Sequence, residues 1–150
     1  MGLIIDYKLI ICPIDDSDLR DKAIEVATYI SKISGAKLVL LNVVEKWYRS
    51  EPMVTDSPEW TSIHEEWLNE GRGLLEKEAK RVVESGIKNV ETILSEGDAA
   101  HEIVAEAFKN KADLIVMATH RYSSAGKFFM GSVTDRVTKK SPCPVLWVFK

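Results

Sequence analysis

A chain of 150 residues, 45% hydrophobic and 29% charged, has the size and balance of one ordinary globular domain. Its formal net charge of -3 carries no basic excess, so neither a nucleic acid nor an anionic membrane is an expected partner. The opening residues Met1 to Asp6 contain no basic segment and no apolar run long enough for a signal or a membrane span, and a cytoplasmic protein is expected.

Taken in order, the elements alternate strand and helix. Leu9-Ile10-Ile11-Cys12 is a continuous apolar run, as are Leu38 to Val44 and Leu114 to Met117, and such runs are what parallel strands covered on both faces look like. The first helix follows Ser17, an expected N-cap, carries Ala23, Val26, Ala27 and Ile30 on one stripe, and closes at Gly35. Glu45 to Glu59 contains two prolines and the aromatics Trp47 and Tyr48. It reads as a long connection: a candidate lid, a disordered loop or a partner contact. The second helix, from about Trp60 to Ser85, places Trp60, Ile63, Trp67, Leu74 or Leu75, Ala79 and Val82 along one face, where tryptophans serve packing. Val90 to Leu94 alternates as an edge strand does. The third helix opens after Gly97 with Asp98 as N-cap and turns Ile103, Val104, Ala107 and Phe108 inward, leaving His101 at the surface.

The last stretch is a strand (Asp113 to Met117), a loop of small and basic residues (Ala118 to Gly126), a helix opening at Gly131 and Ser132, and a final strand, Val145 to Phe149. That is one βαβ unit, in which the loop leaving the first strand lies at the carboxyl edge of the sheet and the helix start presents unpaired N–H groups to an anion. Asp15 and Asp16 end the first strand; from spacing alone either could meet a ribose hydroxyl or a divalent cation, or cap the helix that follows. His120, Arg121, Lys127, Arg136, Lys139 and Lys140 give the loop and last helix an anion-friendly charge, against a reading of the helix cations as a solvated face. Cys12 and Cys143 fall on strands separated by the one carrying Leu114, so no bridge is expected, and His64, His101 and His120 sit on separate elements. No nucleophile has a partnered base and no Walker or G-x-S-x-G sequence appears, which points to a binding protein and not an enzyme.

Gly131-Ser132-Val133, with Met117-Ala118-Thr119-His120-Arg121 before it and Ser141-Pro142-Cys143-Pro144-Val145-Leu146 after it, resembles the C-terminal signature of the universal stress protein family. In that family the signature is a glycine, two residues, a glycine, nine residues, then glycine followed by Ser or Thr. Here Ala118 and Arg121 occupy the first two glycine positions and Gly131 with Ser132 keeps the third. Cys12-Pro13-Ile14-Asp15-Asp16-Ser17 is similar to the family's first strand end, with Asp16 where glycine is usual.

The resemblance covers about Tyr7 to Phe149. It implies a doubly wound α/β domain with a five-stranded parallel sheet in the order 3-2-1-4-5 and helices on both faces, with strands near residues 8 to 14, 37 to 44, 90 to 94, 113 to 118 and 144 to 149. It also implies an adenine nucleotide, ATP with Mg²⁺, held by Pro13, Ile14, Asp15, Val43, Met117, Ala118, Arg121, Gly131, Ser132 and Val133, with Asp16 left as the capping residue. Ala118 and Arg121 are expected to weaken that binding by crowding, unless the planar donor fork of Arg121 supplies a phosphate contact of its own. The alternative is a dimeric stress or interaction protein that has lost the nucleotide. In either case Pro144 to Phe149, apolar on both faces yet at a sheet edge, is expected to pair with its two-fold copy in a homodimer.

Overall fold

The computed structural model describes residues 6–45, 58–120 and 130–149. These form β1 (Leu9–Pro13), α1 (Arg20–Ser34), β2 (Lys37–Glu45), α2 (Pro58–Glu84), β3 (Val90–Gly97), α3 (Ala99–Lys109), β4 (Leu114–Thr119), α4 (Ser132–Lys140) and β5 (Val145–Phe149). The sheet has five strands in the order β3-β2-β1-β4-β5, every neighbouring pair parallel, as the alternation and the resemblance led one to expect. Trp47, Tyr48, Ser123, Ser124, Arg121 and Lys127 lie outside the described residues, and so does the candidate lid except at its ends.

Alternation along each strand divides the core between the two faces. Ile10, Cys12, Leu38, Leu40, Leu114 and Val116 point to one side, against Ala23 and Ala27 of α1 and Leu75 and Val82 of α2. Ile11, Val39, Leu41, Ile115 and Met117 point to the other, against Ala100, Ile103 and Ala107 of α3 and Val137 of α4. Because the three central strands are apolar on both sides, each of their large residues removes a whole side chain from water, about 1.5–3 kcal/mol apiece.

Several local expectations are corrected. Ser17 does not cap α1: the helix begins at Arg20 with the buried Leu19 in the N-cap position and no side-chain cap. The Asp16 side chain does not cap it either. The turn is closed instead by Arg20, whose Nη1 donates to the carbonyls of Asp16 and Ser17 at 3.0 and 2.9 Å. The C-terminal end behaves as expected, with Gly35 at φ 75° donating to the Ser31 carbonyl. In α2 the buried stripe is Gly71, Leu75, Glu78 and Val82, while Ile63 is exposed and the neighbouring His64 is the residue that meets β3, through Glu96 at 2.6 Å. Trp60 and Trp67 pack edge to face at 5.6 Å. β3 is an edge strand but runs three residues beyond Leu94, to Gly97, its pairing with β2 carrying Ser95 and Glu96 along. Phe108 is exposed and not inward, lying in the last turn of α3 beside the buried Ala107. Cys12 and Cys143 are both free thiols.

Candidate functional site at the carboxyl edge of the sheet

The chain winds one way from β1 through β2 to β3, then crosses back to lay β4 on the other side of β1. Between β1 and β4 the loops leave in opposite directions, which opens a crevice at the strand ends where open α/β sheets bind ligands. A cavity of about 350 Å³ lies there. Pro13, Ile14 and Asp15 line it from β1, Leu41, Val43 and Glu45 from β2, and Met117 and Ala118 from β4. Ala99 and Ile103 close one side from the start of α3, and Val133 and Thr134 the other from the start of α4.

Each wall follows from a local rule. Leu41, Val43 and Glu45 alternate on β2, so one face of the strand carries an apolar floor outward to a carboxylate at the rim. Asp15 is exposed, its Oδ1 accepting the Ser17 N–H at 2.9 Å, so the turn aims the carboxylate. Ala118 sits inside β4, paired with Val148, and is not among the residues with positive φ, so its position asks nothing that only glycine can give. What it adds is one methyl in the cavity wall. Gly131, at φ -56°, is not forced to be glycine by its backbone either. A Cβ built there would meet nothing nearer than Thr119 Oγ1 at 3.7 Å.

The two helices that open onto the cavity start differently. In α3, Asp98 accepts the His101 N–H at 2.9 Å, and Arg136 of α4 in turn grips Asp98 with its two terminal guanidinium nitrogens, Nη1 and Nη2, at 2.9 and 2.7 Å. The Arg136 hydrogen bond, and then the His101 N–H, hold the Asp98 carboxyl below its ordinary range. The N-terminus of α3 therefore already has its anion. At the start of α4 the N-cap is Gly131, which has no side chain to cap with; its N–H donates to Thr119 Oγ1 at 3.2 Å. Arg136, grouped above with the anion-binding cations, is thus spent on Asp98, and Lys139 pairs with Asp135 at 2.9 Å.

Of the residues singled out from sequence, Pro13, Ile14, Asp15, Val43, Met117, Ala118 and Val133 line one cavity. Gly131 and Ser132 stand at the head of α4 beside it without lining it, and Arg121 is outside the described residues. Leu41 and Glu45 were missed although the alternation from Val43 marks them; so were Ala99 and Ile103, four apart on the first turns of α3. Arg20, on the cavity wall, carries no sequence signal. Burial pushes the nearby Cys12 thiol up to about 12, which keeps it protonated and unreactive. Among the described residues no three His, Cys, Asp or Glu side chains cluster as a metal centre, and no helix is long and apolar enough to cross a membrane.

A crevice at the switch point of a five-stranded parallel sheet is the ligand position of the doubly wound α/β class of proteins. The sequence pattern of the universal stress protein family matches residues 6–148, and the chain belongs to that family. It is 39% identical over 146 residues to universal stress protein MJ0531 of Methanocaldococcus jannaschii, covering 96% of this chain and 83% of that one. The structure of UspA from Lactobacillus plantarum superposes with a TM-score of 0.84 at 25% identity, over 97% of this chain and 99% of the other. A universal stress protein solved in complex with cAMP shares the fold, with a TM-score of 0.73 at 22% identity, over 95% and 97% of the two chains.

Proposed function

We propose that this protein is a regulatory binding module that takes an adenine nucleotide, ATP with Mg²⁺ or a smaller relative, in the cavity at the strand ends. The observation that carries the reading is the pairing of that cavity with a helix start: about 350 Å³, inside the ~300–1,000 Å³ of small-molecule sites, with the first turn of α4, whose N-cap Gly131 brings no side chain, beside it. Leu41, Val43, Met117 and Ile103 offer apolar surface to a flat base, and Asp15 and Glu45 offer acceptors to ribose hydroxyls or to a phosphate-bound cation. Gly131, Ser132 and Val133 would meet the phosphates. That a member of the same fold holds cAMP supports an adenine ligand. The binding groups are those of a receptor, not of an enzyme, and the two free thiols suit a cytoplasmic location.

Calorimetry with ATP and Mg²⁺, together with mass analysis of any nucleotide released from the purified protein, tests the reading. Weak binding is expected. The double change Ala118→Gly with Arg121→Gly tightens it if crowding dominates and loosens it if Arg121 holds phosphate. A protein that binds no adenine nucleotide in either form overturns the reading.

A second proposal concerns assembly. β5 is a sheet edge whose outer side has no strand partner among the described residues, and Leu146 on it is 38% exposed. We infer a homodimer formed by β5 with its two-fold copy. Trp147 and Val145 face α4, with Trp147 Nε1 donating to Thr138 Oγ1, so Leu146→Lys is the change that spares the core. Light scattering should give a dimeric mass for the protein and a monomeric one for that variant.

A further inference from the structure

Glu78 is fully buried in the middle of α2, on the face of the sheet away from α3 and α4. Its carboxylate takes Arg20 Nε at 3.3 Å on one oxygen and Arg81 Nη1 at 2.6 Å on the other. A well-packed apolar side chain in such a place is commonly as stabilising as a buried ion pair or more so, so packing alone does not call for a carboxylate. What the carboxylate does is fix the Arg20 fork. Arg20 is only 17% exposed, and its Nη1 donates to two consecutive carbonyls, Asp16 and Ser17, of the turn between β1 and α1. The Ser17 N–H of that turn holds Asp15 Oδ1. With Leu19 at the N-cap of α1 making no side-chain cap, Arg20 ties the Asp16–Ser17 end of the turn, as Asn42 Nδ2 ties the Ile14 end at 2.8 Å.

We propose that Arg20 is a positioning residue for the cavity, and that Glu78, buried behind it, orients Arg20, so that the placement of the Asp15 carboxylate is set from α2. Asp15, Ser17 and Arg20 all line the cavity, whereas Glu78 does not. The consequence for ligand binding rests on the nucleotide reading above; the consequence for the turn does not. A ligand group that donates to Asp15, a ribose hydroxyl or an exocyclic amine, would feel a change at Glu78 without touching it.

The test uses two variants of the whole protein and two readouts. Arg20→Met with Glu78→Leu removes both charges together and should keep Tm within about 4 °C. Glu78→Gln keeps the shape and one acceptor oxygen, and leaves the cavity wall intact. The first readout is amide hydrogen exchange without ligand: Ser17 should exchange about tenfold faster in the double variant and less so in Glu78→Gln, with Ile11 and Leu38 unchanged. The second is ATP affinity in the presence of Mg²⁺, which should fall about tenfold and by a smaller factor respectively. Exchange at Ser17 that stays as it was, or rises only in step with Ile11 and Leu38, overturns the proposal. Loosening at Ser17 with ATP affinity unchanged overturns it too, because the turn would then not set the site. If the parent protein binds no ATP, the nucleotide reading fails by itself and Ser17 exchange alone decides whether Arg20 positions the turn.

Discussion

The two faces of the sheet bury similar apolar side chains but manage their charges in opposite ways. Under α1 and α2 the charge is inside: Glu78 has no exposed surface, and Arg20 and Arg81 close over it, with Asp21 bound to Arg81 at 2.9 Å at the surface. Under α3 and α4 the charge is outside, in the Asp98–Arg136 pair, whose side chains are each about half exposed. A pair in water contributes little, while a carboxylate without water depends wholly on its partners. The first face is therefore the more vulnerable one.

Removing the buried carboxylate should break this contrast most severely. Glu78→Ala leaves two guanidinium groups facing a void and is expected to destabilise by about 3 kcal/mol, the low end for breaking a buried pair because Arg81 can turn to solvent. Urea unfolding at neutral pH measures it; a loss no larger than that of a surface pair would make the two faces equivalent.

Gly71 comes next. It is buried where α2 crosses β2 and β3, and an added Cβ would lie 2.8 Å from both Asn42 Oδ1 and Leu94 Cδ1. Asn42 cannot swing away freely, since its Nδ2 donates to the Ile14 carbonyl at 2.8 Å. Overpacking of this kind costs about 1–3 kcal/mol, offset in part by the better helix propensity of alanine, so Gly71→Ala should destabilise by roughly 1 kcal/mol net. It should also disturb Ile14 at the cavity, seen as amide shift changes there.

On the other face, Asp98→Ala removes the cap of α3 and the anchor of Arg136, with an expected loss of about 1 kcal/mol that belongs to the cap. The pH dependence has a definite sign. The folded-state Asp98 carboxyl titrates below its unfolded value, so its contribution is present at neutral pH and disappears as the pH falls below about 4 and through the folded value. Wild type and Asp98→Ala should thus converge in stability in acid. Asp98→Asn, which keeps the cap and loses the charge, should lie between them at pH 7.

How much of this was legible beforehand depends on whether burial and residue type agree. Ile10, Ile11 and Cys12, or Leu38 to Leu41, are apolar and fully buried, so the strands could be anticipated from residue type, while their order came from the resemblance to the universal stress protein family. At β3 the last residues are Ser95, Glu96 and Gly97, and an edge strand whose end is polar hides its length. Glu78 lies three residues after Leu75 and four before Val82, on the buried stripe by spacing; only its charge argued against that. In the cavity, residues that repeat every second position from Val43 were recoverable. Arg20 was not, because the carbonyls it binds are brought to it by a turn that no residue pattern announces.

The smallest effect expected is also the one that most sharpens the comparison, because it changes the same residue type on the same helix two positions from Gly71. Gly73 points away from the sheet, and a Cβ there would meet nothing within 4 Å. With no neighbour to crowd, only the backbone matters: alanine lowers the conformational freedom that the unfolded chain loses on entering the helix. Gly73→Ala should therefore stabilise by about 0.5–1 kcal/mol, opposite in sign to Gly71→Ala. Thermal unfolding of the two variants side by side should move Tm up for one and down for the other. If both stabilise, the contact between α2 and the β2–β3 ladder at Asn42 and Leu94 is looser than its geometry indicates. If both destabilise, the outer side of α2 is covered by something in the assembled protein.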